Sequence, residues 1–410
     1  MSSESIAPRS VKTLQDFYDL MAETREVRAR AVRAIMGGQK PEADCVPSLE
    51  TARGSLAEIP STGEGPHAKR LALVAERMVD VDLTYEVTEL DKDLLYLKQG
   101  EDALMAHMEE LHQGFRATVA QGRAFLGDVR FRTFFTDRDG TTNNYCGRYR
   151  SSIQSIYNGV LLTRFAKAGA GAPVMLTSAP LRDIGIVDVS VMPEDSWIYA
   201  ASKGRECIGK DGERRCYPIE PGQQQRLLAL YEDVRALVET EVNRKFALIG
   251  SGLQFKFGQI TVARQDISGS VPEEESLAFL ESLKALVDGH DPDGREFRIE
   301  DTGKDVEIIL TIEGDGALKD FDKGDGVAFI DDELGLGMDQ GPNLVCGDTG
   351  SDVPMAAMAR TLCEDTAAIF VTRDAGLMAK VRKACPRAFF VPEPDMLVAI
   401  LGTMDHTDNR

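Results

Sequence analysis

Phe131-Arg132-Thr133-Phe134-Phe135-Thr136-Asp137-Arg138-Asp139-Gly140-Thr141-Thr142 is a short apolar run of strand formers that stops on two carboxylates and a glycine. A strand with this ending presents Asp137 and Asp139 close together at the carboxyl edge of a sheet, where open α/β sheets bind their ligands. Two carboxylates so placed repel each other unless a cation lies between them or one keeps its proton. Hard oxygen donors at this density suit Mg²⁺, which keeps several waters and takes only one or two protein carboxylates.

The texture on either side of this run differs. Downstream, Ile153, Ile156, Val160, Leu161 and Phe165 mark one face of a helix, and Pro173–Thr177 reads as a strand. This β-α-β order implies a parallel sheet with a right-handed crossover. After Lys323 the alternation resumes: strand 343–346, a helix from Val353, strand 367–371, helix 375–384, strand 388–391 and a short terminal helix, with Asp405 to Arg410 expected to fray. Upstream, residues 11–36 carry a helical pattern, 37–66 hold helix-breaking prolines and Gly37-Gly38, and about 67–127 read as a second helical region. Its stripe of Leu104, Met108, Leu111, Phe115 and Val119 needs a partner surface, on the same chain or on a second copy that would make a homo-oligomer.

About 145 residues separate Thr177 from Lys323, too many for a loop in a compact domain. They carry strand-like runs at 184–191, 197–201 and 255–264, helices at 223–244 and 273–287, and a hairpin over 296–311 turning at Asp301-Thr302-Gly303-Lys304. That mixture describes a small inserted α+β domain. The expected division is therefore an N-terminal helical region at 1–128, a core at 129–182 and 313–404, and an insert at 183–312.

Composition removes several function classes. A formal charge of −20 over 410 residues lacks the basic footprint that nucleic acid needs. No apolar run approaches the ~20 residues of a membrane span. Met1-Ser2-Ser3-Glu4-Ser5 does not lead into a signal peptide, and seven scattered cysteines form no Cys-x-x-Cys pair, so a reducing, cytoplasmic setting is expected. None of the five histidines sits in a metal-ligand motif.

Asp137-x-Asp139-Gly140-Thr141 resembles the first signature of the haloacid dehalogenase (HAD) superfamily, and three further signatures follow in that family's order. A strand ends in Thr177-Ser178, a lysine stands in Asp322-Lys323-Gly324-Asp325, and an acidic loop runs Gly347-Asp348-Thr349-Gly350-Ser351-Asp352. Any one of them alone is ordinary; Asp352 before Val353-Pro354 would pass as a helix cap. The resemblance implies a HAD-like Rossmannoid core with a parallel sheet and, from the insert's position, a C2-type cap like that of trehalose-6-phosphate phosphatases and related sugar phosphatases. It also implies Asp137 as nucleophile and Asp139 as general acid and base. Asp137, Asp139 and Asp348 would hold Mg²⁺, Thr177 or Ser178 and Lys323 would hold the phosphoryl group, and Asp352 would orient Lys323. Within the cap, Ala201-Ser202-Lys203-Gly204-Arg205-Glu206 falls where trehalose phosphatases carry Ala-Glu-His-Gly, which makes Lys203, Arg205 and Glu206 candidate readers of a phosphorylated sugar. Gln254, Lys256 and Gln259 form a second polar cluster near a strand. A phosphomutase, or a HAD-like regulatory protein working through its N-terminal helices, is the competing expectation.

Overall fold

A computed structural model describes residues 5–74, 77–314, 317–319 and 321–404; the expected fraying of 405–410 lies outside them. An eight-stranded sheet forms the centre, ordered Ala388–Val391, Thr366–Val371, Asn343–Gly347, Phe131–Thr136, Ala170–Leu176, Ile198–Ala201, Glu206–Ile208 and Arg214–Cys216. The first six strands are parallel and the last two antiparallel. Strand residues alternate between two buried faces: Phe134, Leu344 and Ile369 point to one helical layer, and Phe135, Val345 and Phe370 to the other. Burial on both faces is what makes these strands read as continuous apolar runs.

Strand order reverses between Phe131–Thr136 and Asn343–Gly347, because the chain leaves the first towards Ala170–Leu176 and returns on its other side. The loops after these two strands flank a crevice at the carboxyl edge of the sheet, the usual place for a ligand in such folds.

The cap is narrower than expected. Ile198–Ala201 pairs in parallel with Ala170–Leu176, so the central sheet extends through Cys216 and takes in strands that a boundary at 183 assigns to the insert. Around 184–191 the backbone forms a short helix, Ile186–Val189, instead of a strand. The separate cap sheet is antiparallel, ordered Phe297–Asp301, Asp305–Leu310, Gln259–Ala263 and Leu253–Lys256. Its last two strands share the run expected as one strand over 255–264, which instead turns at Phe257-Gly258. Helices Pro221–Glu239 and Glu273–His290 cover one face, burying Leu227, Val234, Phe279 and Leu283 with Ile260, Val262, Val306 and Ile308.

The N-terminal region also departs from an all-helical expectation. Helix Leu14–Met36 starts on a Thr13–Asp16 capping box. Helix Cys45–Ala57 then forms within the proline-containing stretch, with Pro47 in its first turn, where no backbone N–H is required. Ala68–Val74 and Arg77–Asp82 pair as antiparallel strands before helices Thr84–Gln99, Glu101–Leu111 and Phe115–Leu126. Leu104, Met108 and Phe115 are buried in the core of this same chain, whereas Leu111, at a helix end, is exposed. Helix Leu14–Met36 packs on Ile156–Ala168, and the Tyr18 hydroxyl donates to the Leu248 carbonyl of the cap at 2.7 Å. No described helix is long and apolar enough to cross a membrane.

A buried ion pair inside the N-terminal region reaches the core through one of its carboxylate oxygens. Arg28 Nε lies 2.6 Å from Asp93 Oδ2, with both side chains almost fully excluded from solvent. The other Asp93 oxygen accepts the Ile156 N–H at 2.6 Å. Burial raises the Asp93 carboxyl to about 6, against the pull of Arg28. Arg28→Met strands that carboxylate without its counter-charge and is expected to lower the unfolding free energy by about 3–5 kcal/mol. Urea denaturation followed by far-UV circular dichroism measures it.

Candidate active site

Asp137 is the first residue past its strand, and its N–H continues the ladder by donating to the Cys346 carbonyl at 3.0 Å. Asp348 follows the neighbouring strand, and Thr177 follows Ala170–Leu176 on the opposite side. Three of the four signatures thus meet at one sheet edge through strand pairing alone. Lys323 arrives differently. Asp322 caps a helix by accepting the N–H groups of Gly324 and Asp325 at 2.8 and 3.0 Å, while Asp325 accepts the Asp322 N–H at 3.0 Å. The Asp-Lys-Gly-Asp signature is therefore a capping box that holds Lys323 in the first helical turn.

Lys323 Nζ stands 2.5 Å from Asp137 Oδ1 and 2.6 Å from Asp352 Oδ1. The second Asp352 oxygen accepts the N–H groups of Asp348 and Thr349 and the Thr349 hydroxyl, at 2.9–3.1 Å. One carboxylate thereby ties the lysine to the acidic loop. Burial opposes its ionisation, but Lys323 and these donors hold Asp352 below the usual carboxylate range. Lys323 itself is pushed above its ordinary value: burial works against this, and Asp137 and Asp352 outweigh it.

Carboxylate oxygens of Asp137, Asp348 and Asp352 lie within 4.8 Å of one another. Burial, reinforced by the neighbouring carboxylates, raises Asp137 to about 7 and Asp348 to about 8. Thr141 donates to Asp348 at 2.9 Å, and a Cβ at Gly140 would meet Asp348 Oδ2 at 2.2 Å, so only glycine fits there. The cavity over this cluster, about 280 Å³, is lined by five carboxylates against two ammonium groups. Its hard oxygen donors and its shortage of positive charge fit a divalent cation such as Mg²⁺. Asp139 lines the same cavity but stands apart from the three-carboxylate cluster. Its Oδ1 accepts from Arg138 Nη1 at 2.5 Å and from the Ser152 hydroxyl at 3.1 Å.

Thr177 and Ser178 both line the cavity. So do Gln254 and Lys256 from the cap, together with Thr261, Asp305 and Glu307, which the sequence reading passed over. Strand alternation would have found them. Gln254, Thr261 and Glu307 are cross-strand neighbours on the cap face opposite Ile260, Val262 and Ile308. Gln259 is buried, donating to Thr261 at 3.1 Å. Burial pushes the Lys256 ammonium below its usual range, with Glu307 and Asp305 pulling the other way.

Lys203, Arg205 and Glu206 are not among the residues lining this cavity. Arg205 is buried, donating to the Gly258 carbonyl at 2.8 Å with its guanidinium over Phe321. Glu206 accepts from Ser202 and pairs with Arg214 at 2.7 Å, beside an adjoining cavity. The Ser202–Gly204 turn is bonded to the loop after Ala170–Leu176, the Lys203 N–H donating to the Thr177 carbonyl at 2.9 Å. Its backbone presses on the helix of Lys323, where a Cβ at Gly326 would come 2.2 Å from the Lys203 carbonyl.

A Rossmannoid core with an inserted cap, and with Asp137, Lys323, Asp348 and Asp352 gathered at its switch point, is the architecture of the HAD phosphatase class. Residues 134–397 match the C-terminal domain of trehalose-6-phosphate phosphatase, and residues 13–115 match that family's N-terminal helical bundle domain. The chain belongs to the trehalose-6-phosphate phosphatase family. It is similar to an alpha,alpha-trehalose-phosphate synthase [UDP-forming] of Caenorhabditis elegans, at 31% identity over 97% of this chain and 34% of that protein. A trehalose-phosphatase of Brugia malayi is 27% identical over 96% of this chain and 86% of its own length. The chain spans about a third of the length of the first of these relatives. A solved Aspergillus fumigatus trehalose-6-phosphate phosphatase covers 71% of this chain and 98% of its own, with 14% identity and a TM-score of 0.39.

Gly326→Ala is expected to push the helix of Lys323 away from the Ser202–Gly204 turn. Misplacing a charge-stabilising group by around an ångström costs roughly 10²-fold in rate. The expected outcome is a kcat/KM on p-nitrophenyl phosphate lowered by at least tenfold, with the far-UV spectrum retained; steady-state kinetics checks it.

Proposed function

We propose that this chain hydrolyses a disaccharide phosphate monoester, trehalose-6-phosphate or a close relative, through an aspartyl-phosphate on Asp137 with Mg²⁺ as cofactor. The observation that carries the reading is the Asp137–Lys323–Asp352 arrangement at the sheet edge, within the span of the trehalose-6-phosphate phosphatase match. A carboxylate held beside an ammonium group is a ready nucleophile for phosphorus. Asp137 attacks and the sugar oxygen leaves. Asp139 supplies the departing oxygen's proton and then takes one from the water that cleaves the acyl phosphate. Thr177, Ser178 and Lys323 hold the phosphoryl oxygens, where positioning and charge do most of the work. Asp137, Asp348 and Asp139 (by its backbone carbonyl) would hold Mg²⁺, which when bound neutralises phosphoryl charge.

Discrimination between sugars falls to the polar cap face. Gln254, Lys256, Thr261 and Glu307 offer donors and acceptors across the cavity from Asp137, a set suited to hydroxyl groups. The unpaired cysteines agree with a reducing compartment.

Hydrolysis of a panel of sugar monophosphates, followed by phosphate release with and without EDTA, tests the reading. Turnover is expected with Mg²⁺ and is expected to vanish on chelation. Asp137→Asn should be inactive with an unchanged melting temperature; a variant hydrolysing at the parental rate would exclude Asp137 as nucleophile. Lys256→Ala removes a charged hydrogen-bonding group worth ~1.5–3 kcal/mol, so kcat/KM for the preferred sugar phosphate should fall roughly ten- to hundredfold. Its loss on p-nitrophenyl phosphate should be smaller, because that ester lacks the sugar hydroxyls.

A further inference from the structure

Helix Thr84–Gln99 buries a polar stripe where a bundle would ordinarily bury an apolar one. Tyr85, Glu86, Glu89, Lys92 and Asp93 are all excluded from solvent at helical spacing. Desolvating such groups is unfavourable unless each finds a partner, and apolar residues would hold a bundle at least as well. Most of their partners lie on one segment, the loop running from the nucleophile strand to helix Ile156–Ala168. Glu86 accepts from the Ser151 hydroxyl at 2.6 Å and from Arg148 at 3.2 Å. Glu89 accepts from Asn144 at 3.1 Å, and Asp93 from the Ile156 N–H at 2.6 Å.

Tyr85 reaches furthest towards the chemistry. Its hydroxyl donates to the Ile153 carbonyl at 2.8 Å and accepts from Asn143 Nδ2 at 2.9 Å. The same Asn143 nitrogen lies 3.2 Å from the Ser152 hydroxyl, which donates to Asp139 Oδ1 at 3.1 Å. Tyr85, Asn143 and Ser152 are buried, so water does not readily substitute for a missing member. From these contacts we infer that the N-terminal region is a working part of the active site: Tyr85, through Asn143 and Ser152, is a positioning residue for the acid–base carboxylate Asp139.

The inference rests on the functional reading above, and leaving-group dependence separates the two. A misaimed general acid penalises departure of a sugar alkoxide, which needs a proton, far more than departure of p-nitrophenolate, which does not. A general loss of folding lowers both reactions together. Tyr85→Phe keeps the ring and removes the hydroxyl. It should lower kcat/KM for the preferred sugar phosphate about tenfold, with a clearly smaller loss on p-nitrophenyl phosphate. Ser152→Ala, which leaves the helix intact, should show the same skew. The double variant should lose less than the product of the two single losses, since both act through one contact. Equal losses on the two esters, or none, in both single variants would overturn the inference while leaving an active phosphatase. A parent chain inactive on every monophosphate would overturn the functional reading, and this inference with it.

Discussion

Carboxylates gathered at one edge of a parallel sheet repel one another, and the site is arranged around that repulsion. Strand pairing sets Asp137 and Asp348 side by side whatever their charges, since each follows its strand directly. The Lys323 ammonium answers part of the problem by bridging Asp137 and Asp352. To deliver it, the chain caps a helix with Asp322 and Asp325 and packs that helix, backbone on backbone, against the Ser202–Gly204 turn. Asp352 then links the lysine to the amides of the acidic loop, so a displacement of any one element reaches the other two. Such mutual bracing is what a preorganised electrostatic site requires.

The cap and the N-terminal region both reach this edge of the core. Under the proposed reaction a core edge that grips only phosphate could not distinguish one ester from another, and that task would fall to the groups facing it across the cavity. The cap supplies them by plain β alternation, with apolar residues towards its helices and Gln254, Thr261 and Glu307 towards Asp137. The N-terminal region contacts both partners. Arg28 and Asp93 brace the core, Tyr18 bonds to Leu248, and Arg77 pairs with Glu275 on a cap helix at 2.8 Å. Regions far apart in the chain thus share one mechanical frame.

What the sequence disclosed follows from which interactions are local. Parallel core strands announce themselves as apolar runs ending in polar loops, and Asp137, Thr177, Lys323, Asp348 and Asp352 stand at such ends or caps, so both the fold and the sheet edge where these residues gather could be read directly. The cap boundary could not. Ile198–Ala201 looks the same whether it joins the core sheet or the insert, and only long-range pairing decides. Hairpin strands Ala68–Val74 and Arg77–Asp82 were hidden for a similar reason, lying between strongly helical neighbours. Lys203, Arg205 and Glu206 were chosen by their distance from Thr177 along the chain. Their turn does sit beside the site, but Arg205 and Glu206 use their charges to anchor Gly258 and Arg214. Thr261 and Glu307, by contrast, carry no motif and become visible only once register brings them beside Gln254.

Net charge poses the last difficulty for the proposed reaction, because a chain of formal charge −20 would have to admit a phosphate dianion. Long-range repulsion among surface carboxylates is screened over about 8–10 Å of electrolyte, so most of that charge hardly acts at the site. The lining of the cavity is nearer and less screened, and it too carries an excess of carboxylates. Lys323 is already shared between two aspartates, and Lys256 faces Asp305 and Glu307, so neither ammonium is free of competing anions. A phosphate ester would therefore bind well only if further positive charge entered with it or before it. A divalent cation beside Asp137 and Asp348 would supply that charge, and would also relieve the repulsion that adds to burial in raising both carboxyls. Acidity at the mouth of the site and affinity for an anion are then consistent: the carboxylates attract the cation, and the cation attracts the phosphate.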